Sequence, residues 1–570
     1  MPGTPAAAPR RNPNALRWGL AIAGVAIVAA VSFLIVSLVG GRPSTSTAMG
    51  YMPANTVSYT EVRLDLPGDQ RQKLASFLKP FPGFSDQSQI EPKLDEVLDR
   101  IVKAATKDKQ TWTADIKPWF GGQLALGMTI PDSLVASGIP SASSNTTLFV
   151  VTVTNRAKAI DWILATGEAA TINRTTYGDA DLLIAAESGG GFAVAVNDKV
   201  MLAGSTVAVK AAIDTGGKGT LEQNDDMKAA LGTLEKDYVG FSVVRIRALA
   251  DAFVQIMGTS QPGVLDRTQI DETVLGLIPA WQAQTVRFEN DAIVSSSVSP
   301  SWSIGFDSPN RAGDLLGHLP KKTLFYSDVH DAGPALKAIL DKFRGLEEAK
   351  AAFAQFDQVI SIFGGADGAY GWWGDTGIVV SALDDGTIGG GLVIHPRDAA
   401  AADRLFTTLS GLMSLGGQSS GVAVRSEDHN GTKITILDFS ATVGSNPSQL
   451  PPGYRAEFAW ATNANVAVIG YGTSFVKAVL DAGPGNSLAD DARFKGLLDR
   501  VGAQNMGMTF VDIKAIRELA EPLVQQYAPA DQWNRYITEI QPYLKPIDAI
   551  VSSARRDGNL DRGSFVFTAH

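Results

Sequence analysis

An α+β fold, organised as two tandem domains of mostly antiparallel sheet packed with helices and preceded by one N-terminal transmembrane helix, is the class this sequence predicts. Three observations predict the body of it. The stretch Phe192–Gly216, FAVAVNDKVMLAGSTVAVKAAIDTG, returns as Phe458–Gly483, FAWATNANVAVIGYGTSFVKAVLDAG, with twelve of twenty-five positions identical once Gly472 is set aside. Self-similarity of that length marks a structural unit written twice. Segments passing from an alternating strand into an amphipathic helix recur in one order in both halves. Strand runs such as Thr285–Glu289 and Val422–Ser426 alternate apolar with polar residues, the pattern of antiparallel sheets with one covered face and not of a buried parallel sheet.

The chain has 570 residues, too many for one core. Hydrophobic residues at 45% against 19% charged describe a folded protein and exclude disorder for its bulk. It contains no Cys, which removes disulfides, thiolate catalysis and Cys-ligated metal sites. The net charge is −10, and since residues 1–42 carry four Arg and no acid, the remainder holds 45 bases against 59 acids. That balance argues against nucleic-acid binding, which needs a basic surface.

Taken in order, Met1–Arg17 reads as a short cytoplasmic tail rich in Pro, Ala and Arg. Trp18–Gly40, WGLAIAGVAIVAAVSFLIVSLVG, carries no charge and as a helix spans about 35 Å, enough for a hydrocarbon core of about 30 Å. Arg10, Arg11 and Arg17 precede it and Arg42 follows, so the N-terminus is expected in the cytoplasm and the body outside. A cleaved signal peptide is the alternative, although its apolar region is normally shorter. Gly41–Gly50 reads as a linker. Repeat one then covers 51–317 and repeat two 318–570: Pro53, Tyr59 and Val62 recur as Pro320, Tyr326 and Val329, and Gly240–Leu249 as Gly507–Ile516, all at an offset of 267. Within the duplicated stretch, Asn197-Asp198 is expected to turn a hairpin, Gly204 to close its second strand, Thr206 to cap the next helix and Lys210 to face solvent. A weaker echo links the strands bearing Val62, Val244, Val329 and Val511, each followed by a helix, and suggests that each repeat has two related halves.

Catalytic patterns are sparse. His318, His330, His395, His429 and His570 form no metal-ligand spacing and read as surface or hydrogen-bonded residues. Ser76-Phe77-Leu78-Lys79 fits S-x-x-K but lies in an amphipathic helix with no S-D-N or K-T-G partner. Gly417-Gln418-Ser419-Ser420-Gly421 fits G-x-S-x-G, yet it leaves a helix ending near Met413 and enters a strand, the reverse of a nucleophile elbow. It reads as a loop. Gly189-Gly190-Gly191 and Gly389-Gly390-Gly391 precede strands and read as tight turns, not phosphate cradles. The pairs Asp225-Asp226, Asp384-Asp385 and Asp490-Asp491 lack calcium-loop spacing and read as caps or solvated faces. The sequons at Asn145, Asn173 and Asn430 matter only in a eukaryotic secretory pathway. No catalytic, metal or cofactor residue is nominated. Trp112, Trp119, Phe120, Trp372 and Trp373 are the candidate ligand or partner surface, with core packing as the competing role. The helices Ala248–Met257 and Ala515–Tyr527 are candidates to line a groove.

Tyr51-Met52-Pro53-Ala54-Asn55-Thr56, the segment Asp115-Ile116-Lys117-Pro118-Trp119-Phe120-Gly121-Gly122 and the single apolar N-terminal run resemble the bacterial family known as domain of unknown function 3352. The resemblance covers essentially the whole body. Repeat two departs from it, offering Tyr370-Gly371-Trp372-Trp373-Gly374-Asp375 in place of the Asp-x-Lys-Pro-Trp pattern. It implies a single-pass, membrane-anchored envelope protein of bacteria and carries no known activity.

The expected function is therefore a binding or scaffold protein of the cell envelope, not an enzyme. It needs no cofactor, has no nucleic-acid partner, and holds the membrane through residues 18–40. An envelope protein or a lipid is the expected partner. A carrier for an apolar or lipid ligand and an envelope hydrolase are the alternatives.

Overall fold

The computed structural model describes residues 46–86, 88, 90–130, 147–166, 172–185, 191–260, 275–302, 308–345, 349–420, 422–440 and 455–570. The expected membrane segment 18–40, Asn145, Gly189, Gly190 and Gly421 lie outside the described residues. No helix among the described residues is long and apolar enough to cross a membrane. The class is α+β, and the chain divides into two compact units, the first ending at Ser299 and the second running from Pro300 to His570, with 275–277 assigned to the second.

The strands of the first unit are β1 (Thr56–Arg63), β2 (Phe120–Thr129), β3 (Thr147–Val153), β4 (Ile172–Tyr177), β5 (Ala180–Ala185), β6 (Phe192–Val196), β7 (Val200–Ser205), β8 (Gly240–Val244), β9 (Gln282–Phe288) and β10 (Ala292–Pro300). They lie in the order β4-β5-β6-β7-β3-β2-β1-β8-β9-β10, each neighbouring pair antiparallel. Its helices are α1 (Gln70–Leu78), α2 (Ile90–Thr106), α3 (Arg156–Thr166), α4 (Thr206–Asp214), α5 (Asp225–Leu231) and α6 (Ile246–Ser260).

The second unit has β11 (Thr323–Val329), β12 (Trp373–Ala382), β13 (Ile388–Pro396), β14 (Ala423–His429), β15 (Thr432–Asp438), β16 (Glu457–Thr462), β17 (Ala467–Tyr471), β18 (Gly507–Val511), β19 (Ile547–Asp557) and β20 (Leu560–Ala569). Their order is β14-β15-β16-β17-β13-β12-β11-β18-β19-β20, again antiparallel throughout. Its principal helices are α7 (Ala332–Arg344), α8 (Lys350–Ser361), α9 (Ala399–Ser420), α10 (Thr473–Leu480), α11 (Ala492–Val501) and α12 (Ile513–Tyr527). The two orders correspond strand for strand.

Local chemistry explains the stretch that occurs twice. Asn197 turns the β6–β7 hairpin by accepting the backbone N–H groups of Lys199 and Val200 on Oδ1, at 2.9 and 2.8 Å. Asn463 does the same for Asn465 and Val466, both at 2.9 Å. This is an Asx turn, for which the short amide side chain is suited. The cap of α4 is Ser205, which accepts the Ala208 N–H; the expected cap, Thr206, is the first helical residue. Lys210 lies over the Tyr177 ring at 4.9 Å instead of standing free in solvent.

Four other expectations are corrected. Residues 46–50 are folded and not linker: Ala48 and Met49 are buried, because the buried Gln123 side chain needs the Thr47 N–H as a donor. The second unit begins ahead of His318, since Asp314 makes the same kind of bond to Asp375. Gly389, Gly390 and Gly391 lie inside β13, paired with β12; a Cβ on Gly389 would stand 2.7 Å from the buried Phe475, so the missing side chain seats that ring. Ser419 falls in the last turn of α9, a helix that runs on to Ser420 instead of stopping near Met413.

Candidate functional site

The candidate aromatics sit in the two helix–sheet cores. Trp112 and Trp119 pack with Trp162, Ile160 and Val153 between α2, α3 and β3, with Phe120 half-buried against them. Trp372 packs with Phe406 of α9 and Trp460 of β16, with Trp373 beside it. Trp112, Trp119 and Trp372 are at most 7% exposed, so in this structure they fill cores. The polar ends differ between units. In the first, the indole N–H groups of Trp112, Trp119 and Trp162 donate to Asp95, the Asp115 carbonyl and Gln110. In the second, those of Trp372, Trp373 and Trp460 have no hydrogen-bond partner.

The Asp115–Gly122 segment ties α2 to the sheet. Asp115 accepts the Thr111 N–H at 2.7 Å, and Lys117 reaches Asp95 on α2 at 2.6 Å. Gly122 is left-handed at φ 94°, where a Cβ would lie 2.8 Å from that of Asp65. These residues position elements of the first unit. Ser76 lies within α1 beside the buried Phe77, so neither Ser76 nor Ser419 occupies a strand-to-helix elbow.

What the sequence reading missed is a buried polar cluster in each unit, at equivalent positions of the central strand pair. On β1, Tyr59, Glu61 and Arg63 alternate toward the interior, all fully buried, and β2 brings Gln123 opposite Arg63. Tyr326 and Asp328 on β11 and His330 just past its end occupy the same places at the offset of 267, and β12, whose register puts Thr376 opposite Val329, brings in the fully buried Asp375. The entering segment covers both clusters alike: the Thr47 N–H donates to the Gln123 amide oxygen at 2.8 Å and the Asp314 N–H to Asp375 Oδ2 at 2.7 Å.

Their electrostatics differ. In the first cluster Arg63 and Asp65 form a bidentate pair at 3.0 and 2.8 Å and Gln123 donates to Asp65 at 3.2 Å, while Glu61 Oε1 has no hydrogen-bond partner. Burial raises the Glu61 carboxyl above its ordinary value, despite the hydrogen bond it accepts from Tyr59. In the second, Arg311 grips Asp375 with both terminal nitrogens. Burial opposes the Arg311 charge, but the bonds to Asp375 and the nearby Asp314 and Asp331 outweigh it and hold the guanidinium above its ordinary value. Asp328 Oδ1 accepts the Met508 N–H at 2.7 Å, whereas its Oδ2 has no hydrogen-bond partner.

His330 is 1% exposed and neither ring nitrogen is hydrogen-bonded. Its Nε2 stands 3.3 Å from Asp328 Oδ2 and 3.9 Å from Asp375 Oδ2, without hydrogen-bond alignment. The three side chains offer ligand atoms all within 4.8 Å of one another. Asp331, the next residue, is left-handed at φ 50°.

Fold and site together define a class of protein: two antiparallel α+β units of one strand order, each with a polar cluster sealed under its central strands. The chain belongs to the family described as "Protein of unknown function (DUF3352)", whose model matches residues 18–569. No protein of curated function matches the sequence. Among solved structures, crystal forms III and I of TP0453 are similar at TM-scores of 0.23 and 0.22 with 4% identity in each case, over 46% and 45% of this chain and 82% and 79% of that one. A likeness at that level carries no argument.

Proposed function

We propose that the chain is a binding or scaffold protein of the bacterial cell envelope, held in the membrane by residues 18–40 with its body outside, and that this body is an internal duplication. Supporting the duplication are the recurring stretch and the matching strand orders. The observation that carries a binding role is the apolar stripe left open on the helix that follows the central strand. On α12, Ile516, Leu523, Val524 and Tyr527 share one face by helical spacing and are 39–73% exposed, and no residue of the helix is buried. On α6, Leu249, the counterpart of Ile516, and Phe253 are exposed as well. An amphipathic helix that leaves its apolar face open marks a contact surface.

The test is photo-crosslinking in intact cells from a probe at Val524. One discrete adduct is expected, reduced at least about fivefold by Leu523→Asp. A probe that captures nothing refutes the stripe as a contact surface. Fractionation tests the anchor: the protein should stay with membranes after an alkaline wash, and a soluble form lacking residues 18–40 would overturn it.

A carrier role is the second reading, favoured by a cavity of about 220 Å³ in the first unit lined by Met52, Pro53, Leu148, Val207 and Ala211 among others. Native mass spectrometry of the purified chain should then show a bound apolar molecule, and a bare chain removes this reading.

A further inference from the structure

We propose that Asp328, His330 and Asp375 form a binding site for one first-row divalent transition cation such as zinc. The site is independent of the apolar stripe on α12, so failure of either leaves the other standing.

The donor set comes first. Two carboxylates and one imidazole suit zinc and its first-row neighbours, whereas magnesium and calcium prefer oxygen alone. Zinc holds such ligands at about 2.0–2.2 Å, which in tetrahedral geometry separates donor atoms by about 3.4 Å. The observed separations of 3.3 and 3.9 Å from His330 Nε2 to the two Oδ2 atoms are close to that span, and all three donors lie within 4.8 Å of one another, so binding draws the carboxylates inward around the ion.

A second observation points to a ligand directly. The imidazole is buried with both nitrogens unpartnered, and the facing Asp328 Oδ2 is unpartnered too. Buried polar atoms are normally satisfied, and each left open is destabilising. In the first unit the equivalent side chain is Arg63, whose guanidinium carries its own charge to Asp65.

Charge gives a third reason. Asp314, Asp331 and Asp375 face Arg311, Asp331 also faces Arg397, and Asp328 faces His330. Four carboxylates stand against two guanidiniums, an excess of acidic groups that a divalent cation offsets.

The roof of the site is a glycine. A Cβ on Gly313 would lie 3.2 Å from His330 Nε2, 3.5 Å from Asp328 Oδ2 and 4.0 Å from Asp375 Oδ2. Its missing side chain thus leaves open the space beside all three donor atoms. The neighbouring Ala312 and Asp314 are exposed, so the roof is the route by which an ion enters.

The experiment is titration of the full chain, solubilised in detergent and stripped with EDTA, with zinc chloride by calorimetry and native mass spectrometry. One zinc per chain is expected, not displaced by millimolar magnesium or calcium. His330→Ala should weaken binding at least tenfold. Gly313→Ala, which keeps every ligand but sets a methyl 3.2–4.0 Å from the three donor atoms and so crowds the ion from the roof, should weaken it as well, with a cooperative thermal transition in EDTA showing that the variant is folded. Cobalt added to the unmodified chain should give visible d–d bands of mixed nitrogen–oxygen ligation, a check that needs no variant. A chain that takes up no zinc and shows no cobalt bands overturns the proposal, as does a Gly313→Ala chain that binds as tightly as the original.

Discussion

Replacing Arg311 with methionine separates the charge of the second cluster from its shape. Asp375 is fully buried and rests on the two terminal nitrogens of Arg311, the Asp314 N–H at 2.7 Å and a longer contact at 3.4 Å from the Asp331 N–H. Without the guanidinium a buried carboxylate loses its counter-charge, which typically costs about 3–5 kcal/mol. Arg311 is itself 27% exposed, so water reaches the vacated place and a somewhat smaller loss, about 2–4 kcal/mol, is expected. For a unit of this size that corresponds to a melting temperature lower by about 5–15 °C.

The double variant Arg311→Met/Asp375→Asn presents a neutral amide to the Asp314 N–H, as Gln123 does to Thr47 in the first unit. It should recover most of the loss, a coupling of about 2 kcal/mol. Urea unfolding of the full chain in EDTA, followed by tryptophan fluorescence, measures both variants. A loss below about 1 kcal/mol for Arg311→Met, or a double variant no more stable than the single, would refute the reasoning.

Glu61→Gln tests the first cluster. A carboxyl raised by burial binds its proton more tightly in the folded state, so it adds stability below its unfolded value and withdraws it as pH rises from the ordinary 4.5 toward the folded value. The glutamine chain should lack that decline and be the more stable at neutral pH; parallel melting temperatures from pH 4 to 8 would count against it. Gly391→Ala places a Cβ on the Ile469 carbonyl and the Gly470 Cα where β13 meets β17, and a loss of about 2–4 kcal/mol in urea is expected. Ser205→Ala removes the α4 cap and should cost about 1 kcal/mol, with no change in zinc uptake by calorimetry.

Much of the fold was legible because it is written in local chemistry. The alternation of β1 and β11, the Asn197 and Asn463 turns and the strand-then-helix order follow from periodicity and turn preference. The polar clusters were harder to see. Arg311, Asp328, His330 and Asp375 spread over 65 sequence positions (311 to 375), and only the β11–β12 register and the segment over Asp375 bring them together. A signal did exist: Tyr-x-Asp-x-His at the end of β11 and the turn after it, and Tyr-x-Glu-x-Arg in β1, put polar residues on the inward side that Tyr59 and Tyr326 share. Reading His330 as a surface or hydrogen-bonded residue overlooked that alternation. The departure of Tyr370–Asp375 from the family pattern was visible too, and it is that departure that supplies Asp375.

The central pairing of each unit also sets a timetable. Ser58 on β1 pairs with Val244 on β8, and Phe325 on β11 with Val511 on β18, so each first strand meets its inner neighbour 186 residues later (244 minus 58, 511 minus 325). At synthesis rates of about 5–20 residues per second, that neighbour arrives about 10–40 s after the strand itself. In the interval β1 and β11 each have an unpaired edge, the kind that recruits other chains. Glu61 and Arg63 on one, and Asp328 on the other, give the waiting strand inward-pointing charges that oppose such pairing. The residues that end up sealed in the two clusters thus also protect the newborn chain before there is a core to seal them in.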